Sequence, residues 1–106
     1  MAFYRGPILT GTATDLGTVQ VDGFMKMTVD LDLSATTETV NVTASEDGSN
    51  FNAAKLRPVD MSTGAVYASG DMKDGLFSID VTGLYAVKFT KSNTSETATI
   101  RIGFFK

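Results

Sequence analysis

The chain has no cysteine, no histidine and no tryptophan in 106 residues. Without cysteine there is no disulfide framework and no thiolate metal site, so stability has to come from packing, from partner chains, or from both. Without histidine the usual general base is missing, and with it His-assisted nucleophiles and most zinc sites. An enzyme built on this sequence would have only carboxylates, lysines and tyrosines to work with. Tryptophan is the favoured platform for stacking on a sugar ring, and in its absence only Tyr4, Tyr67 and Phe51 could substitute.

Long runs of one character are missing too. No apolar stretch approaches the roughly 20 residues of a membrane-spanning helix. Basic residues are scattered among acids, as at Lys26, Lys55, Arg57, Lys73, Lys88, Lys91 and Arg101, and the formal net charge is −3. Polyanion binding draws on clustered Lys and Arg that release counterions, so nucleic acid is not an expected partner. The start, Met1 to Pro7, lacks the charged beginning, apolar middle and cleavage site of a signal peptide. The expectation is a protein made in the cytoplasm and used without secretory export. The ten glycines fall singly at turns and form no phosphate-binding loop, and no cofactor is expected.

What the chain does have is alternation. Met25, Met27, Val29, Leu31 and Leu33 fall on one face of a strand, with Lys26, Thr28, Asp30 and Asp32 on the other. The same period appears in Val40–Ser45, Phe77–Val81, Tyr85–Thr90 and Ala98–Phe104. Weaker candidates are Gly17–Asp22, Lys55–Met61 and Ala65–Ser69; Pro58 marks the second of these as an edge or a bulge. Turn signals separate them at Asp22-Gly23, Ala35-Thr36-Thr37, Asp47 to Asn50, Ser62-Thr63-Gly64, Asp74-Gly75, Thr82-Gly83 and Ser92 to Ser95. This pattern predicts one all-β domain, an antiparallel β-sandwich of about eight short strands, Ig-like or jelly-roll-like. A single sheet would leave one face of Met25–Leu33 uncovered, so two layers are expected. The predicted core is Met27, Val29, Leu31, Val40, Val42, Phe77, Ile79, Val81, Tyr85, Val87, Phe89, Ile100 and Ile102.

The chain ends break the pattern. Residues 1–14 read as an extended N-terminal arm ahead of a sandwich spanning residues 15–106. Pro7 lacks a ladder donor, which argues against an interior strand. The segment either pairs with its own sheet near Ile8-Leu9 or docks on a neighbouring subunit, and Phe3 and Tyr4 suit a tail that leaves water. At the other end Phe104 and Phe105 are consecutive and must point to opposite faces. The candidate partner-binding residues are therefore Phe3, Tyr4, Ile8, Leu9 and Phe105.

Two acidic groupings have residue types that could carry chemistry. Asp30 and Asp32 share a strand face, as a glycosidase pair could, but with Lys26 and Thr28 they describe a solvated sheet face. Glu46 to Asn50 offers several oxygen ligands, yet it lacks the spacing of a calcium loop, and Asp-Gly is a common hairpin turn. No metal site and no catalytic residue is expected.

Ser45-Glu46-Asp47-Gly48-Ser49-Asn50-Phe51, then Ser62-Thr63-Gly64, then Asp80-Val81-Thr82-Gly83-Leu84-Tyr85-Ala86-Val87-Lys88-Phe89 and a last strand after a Ser/Thr-rich loop form an ordered series. The series resembles a small all-β domain of tailed-bacteriophage virion proteins, and it covers the chain from Ser45 onward. The resemblance implies a non-enzymatic virion structural protein, most simply a capsid decoration (cement) protein on the outside of the head shell. Its implied partners are the major capsid protein, or another virion protein, and further copies of itself on the particle. The alternatives are a neck, tail or head-fibre accessory protein, or a carbohydrate-binding attachment module.

Overall fold

The computed structural model describes residues 2–34, 38–52 and 56–106. The Ala35-Thr36-Thr37 turn and Lys55 lie outside the described residues. Eight strands run β1 (Phe3–Gly11), β2 (Asp15–Gln20), β3 (Lys26–Leu33), β4 (Val40–Ser45), β5 (Val59–Asp60), β6 (Gly75–Asp80), β7 (Ala86–Lys91) and β8 (Ala98–Phe105). They form two antiparallel sheets, ordered β1-β8-β3-β6-β5 and β2-β7-β4. No helix occurs among the described residues. The chain is the β-sandwich that its alternation predicts.

Alternation sends Met27, Val29, Leu31, Phe77, Ile79, Ile100 and Ile102 inward from one sheet, against Val42, Val87 and Phe89 of the other. Two expectations fail at one end of the sandwich. Tyr85 is 41% exposed and Met25 49% exposed, although both have core parity. Each sits just past a sheet-crossing turn, and Phe24 and Leu84, one residue earlier, pack against the core instead. The two turns are counterparts: Phe24 N–H donates to Val21 C=O at 3.1 Å, and Leu84 N–H donates to Val81 C=O at 3.0 Å. Gly23 (φ 86°) and Gly83 (φ 81°) supply the left-handed residue that such turns require. They also grip each other, Val21 N–H donating to Tyr85 C=O and Val81 N–H to Met25 C=O. This pairing is tertiary and leaves only a faint trace in sequence, Val-x-Gly followed by an apolar residue.

Two core residues come from outside the eight strands. Met72 and Leu56 are fully buried, beneath the margin where β4 and β5 form the sheet edges. Of the described residues 56–61 of that candidate, Val59–Asp60 is strand, at the sheet edge that Pro58 signals. Ala65–Ser69 is no strand but a lacing segment. Its Val66 bridges Val59, Tyr67 N–H donates to Pro58 C=O at 2.8 Å, and Ser69 C=O accepts from Val42 N–H at 2.9 Å.

Candidate interaction surface

Residues 3–11 are not a free arm. They form β1, an edge strand aligned with β8 from Phe3↔Phe105 to Gly11↔Ala98. The predicted boundary after residue 14 is therefore no domain boundary, because the first strand belongs to the five-stranded sheet. The register shifts between Arg5 and Ile8, and Gly6-Pro7 forms the irregularity. That shift decides the chemistry of the strand. Before it, Phe3 and Arg5 face outward, opposite Phe105 and Gly103; after it, Ile8 faces outward, opposite Arg101. Tyr4 and Leu9 lie opposite the buried Phe104 and Ile100. An uninterrupted strand would put Phe3 and Ile8 on opposite faces.

The five candidate partner-binding residues thus divide into two sets. Phe3 (54% exposed) and Ile8 (64% exposed) stand on the outer face, and the half-buried Phe105 touches Phe3 with ring centroids 5.0 Å apart. Tyr4 and Leu9 turn towards the sandwich. Leu9 packs against the core and over Gly17 of β2, where a Cβ would come within 3.3 Å of it. Tyr4 extends an aromatic column, 5.7 Å from Phe24, which stacks on Phe104 at 4.5 Å. The Lys106 ammonium lies 5.6 Å from the Tyr4 ring centroid.

Beside β1 the outer face carries a groove of about 260 Å³, walled by Phe3, Arg5 and Ile8 and floored by Gly103. Glycine at 103 lets Phe3 lie across the strand, since an added Cβ would come 2.5 Å from the Phe3 ring and 2.7 Å from Thr28 Oγ1 and would force one of them to shift. Arg101 also lines the groove, but its guanidinium is engaged by Asp32 at 2.5 Å, with both side chains half exposed. Arg5 makes no ion pair or hydrogen bond among the described residues. Apolar Leu76 (43% exposed) lies further across the same face, where β6 residue Leu76 pairs with Asp30.

The acidic groupings have local employment. Asp47 accepts hydrogen bonds from Ser49 N–H at 2.8 Å, Asn50 N–H at 2.9 Å, Asn50 Nδ2 and Ser45 Oγ. The Asn50 and Ser49 amides, with help from the two side chains, hold its carboxyl far below the ordinary carboxylate range. Asp60 is lowered by Ser62 and Asp80 by Thr82 in the same way. In each case a carboxylate accepts from the backbone two residues on, the usual Asx arrangement of a turn. Asp32, of the Asp30/Asp32 grouping, is paired with Arg101.

Sequence reasoning missed a buried polar cluster at the end of the sandwich remote from Tyr85. Lys91 and Glu38 are buried and 3.4 Å apart, and Glu96 is buried beside them. Lys91 Nζ donates to Glu96 C=O, Glu38 N–H donates to a Glu96 carboxylate oxygen at 2.7 Å, and the Ser95 hydroxyl and Glu96 N–H donate to Glu38 Oε2. The cluster ties the 92–97 loop to the start of β4. A signal existed: Lys91 continues the inward row of Val87 and Phe89, the position a solvated lysine would avoid.

Known proteins enter through shape alone. No family model matches the sequence, and no curated protein matches it. Two solved structures share the fold. The SPBc2 prophage-derived protein YomS superposes with a TM-score of 0.75 at 15% identity, over 97% of this chain and 90% of that one. The PBSX exported protein XepA superposes with a TM-score of 0.78 at 14% identity, over 97% of this chain but only 37% of that one.

Proposed function

We propose that the chain is a non-enzymatic structural protein of a tailed-phage particle, a decoration protein that binds the outside of the head shell. The observation that carries this reading is the fold, shared along 97% of the chain with a protein named as prophage-derived. It accords with the virion-domain resemblance of the sequence from Ser45 onward. The chemistry supports it as well: the turn acids are spent on their own turns, and neither histidine nor cysteine is present. The outward set Phe3, Ile8 and Phe105 contacts the shell protein, while Tyr4 and Leu9 hold the strand that presents them.

A sugar-binding reading has less support. Tyr67 stands edge-on to Phe77 at 5.3 Å, Lys88 lies 4.8 Å from the Phe51 ring centroid, and Lys106 lies over Tyr4. Each of the three rings already has another side chain against it. The test is a quantitative mass-spectrometric inventory of purified particles. A copy number in proportion to the shell protein is expected. A handful of copies per particle would move the protein to the neck or tail, and its absence would end the virion reading.

A further inference from the structure

We infer that the free edge of β1 takes up an extended segment of the neighbouring virion protein, one that reads apolar-x-acid-x-apolar. This rests on the virion reading above and names the chemistry of its contact. Each sheet has one edge closed and one open. β4 is capped by Met72, Ser69 and Asn52, and β5 by Ala65 and Val66. β1 and β2 have no backbone partner on their outer sides among the described residues. An uncapped edge is a template for another strand.

The side chains choose between the two open edges. β2 offers Thr18 and Gln20, and its Asp15 carboxylate is occupied by Gly17 N–H at 3.0 Å. β1 offers Phe3, Arg5 and Ile8 on one face, beside the groove over Gly103. Residues of an added strand that face this side recur at every second position. Two apolar side chains would meet Phe3 and Ile8, and the one between them would meet Arg5. Asp30 and Arg101 line the same groove, but among the described residues the Arg5 guanidinium makes no ion pair, and between Phe3 and Ile8 it can donate two hydrogen bonds to the carboxylate of an Asp or Glu.

Charge also excludes the simplest alternative occupant. The β1 sequence Phe3–Gly11 contains no acid, so pairing β1 with the β1 of a second copy would bring Arg5 no carboxylate. A segment of a different protein with an acid at the middle position meets this requirement.

The test re-decorates bare shells of the encoding phage with purified full-length protein. Arg5→Glu and Ile8→Asp are compared with wild type, each first shown to melt like wild type. Arg5→Glu should bind at least about tenfold more weakly, because reversing one partner of a desolvated charge pair costs affinity steeply. A photoreactive residue at position 8 should cross-link to a shell segment with the stated pattern, and reversing its acid to Lys should restore Arg5→Glu binding. Equal uptake of wild type and Arg5→Glu overturns the inference and leaves the virion reading standing. So does a cross-link to a second copy of this chain, or to a segment without an acid. Shells that take up no wild-type protein overturn both.

Discussion

The two side margins of this sandwich solve the same problem in opposite ways. Along β4 and β5 the chain returns to cover its own edges. The segment 65–72 bonds first to β5 and then to β4, with Met72 buried beneath it. Along β1 and β2 the sheets are joined by the short 12–14 connection, and Leu9 packed over Gly17 is the main apolar plug. Among the described residues its backbone edges stay uncovered, and β1 adds Phe3, Ile8 and an Arg5 that makes no ion pair. Open strand edges invite association, and proteins commonly blunt them. This chain blunts one margin thoroughly and the other only with the Gly6-Pro7 irregularity. The lesson is that stability is concentrated on one side and availability on the other.

The largest effect lies between the two margins, on the central strand β7, where Lys91 pairs in register with Val40 of β4 and its N–H donates to Thr14 C=O. Lys91→Ala leaves the buried Glu38 carboxylate without its cation, and about 3–5 kcal/mol should be lost. That is a large part of the roughly 5–15 kcal/mol that such a domain possesses. The double variant Lys91→Met with Glu38→Gln should recover part of the loss, because the unpaired Glu38 charge is gone while the buried Glu96 carboxylate keeps its bond from the residue 38 N–H. Urea denaturation of the three proteins measures it. A Lys91→Ala midpoint equal to wild type would mean that the cluster is not a lock.

A middle-sized contrast runs along β1 itself. Leu9→Ala should cost about 2 kcal/mol, near the low end for apolar truncation because Leu9 is only half buried. Ile8→Ala, one residue away but outward, should stay within about 0.5 kcal/mol. Thermal melting separates them, and equal losses would place the parity switch elsewhere than Gly6-Pro7. Removing residues 2–9 altogether should lower the melting temperature, since it uncovers β8 as well as deleting surface groups. For that reason a truncation alone cannot report on partner contact.

The smallest effect concerns acid. Asp47 is held below its ordinary value of 3.8 in the folded protein by the Asn50 and Ser49 amides. Its contribution to stability is therefore complete above that value and fades as the pH falls through the folded one. Asp47→Ala should be less stable than wild type at neutral pH, and the gap should narrow on acidification below 3.8. Urea midpoints at neutral and acid pH give the comparison. A gap that widens in acid would contradict the hydrogen-bonded turn.

Much of the architecture was readable because side-chain alternation is a local property. Met27, Val29 and Leu31 declare their inward face without reference to any partner, as do Ile100 and Ile102. Pro7 and Pro58 declare edges, since a residue without an N–H cannot serve an interior ladder. The outward placement of Phe105 followed from its neighbour Phe104 in the same way. What alternation could not tell was where the covered region stops. Tyr85 and Lys91 flank Val87 and Phe89 in one row, yet the tyrosine is exposed and the lysine buried. Only the tertiary structure supplies Glu38 and Glu96 to neutralise and bond the ammonium, and only it ends the core short of Tyr85. The one-residue irregularity at Gly6-Pro7 and the lacing of β4 to β5 by residues 65–72 were likewise decided by strands distant in sequence. Period two says which side chains share a face; whether that face is covered depends on chain folded back from elsewhere.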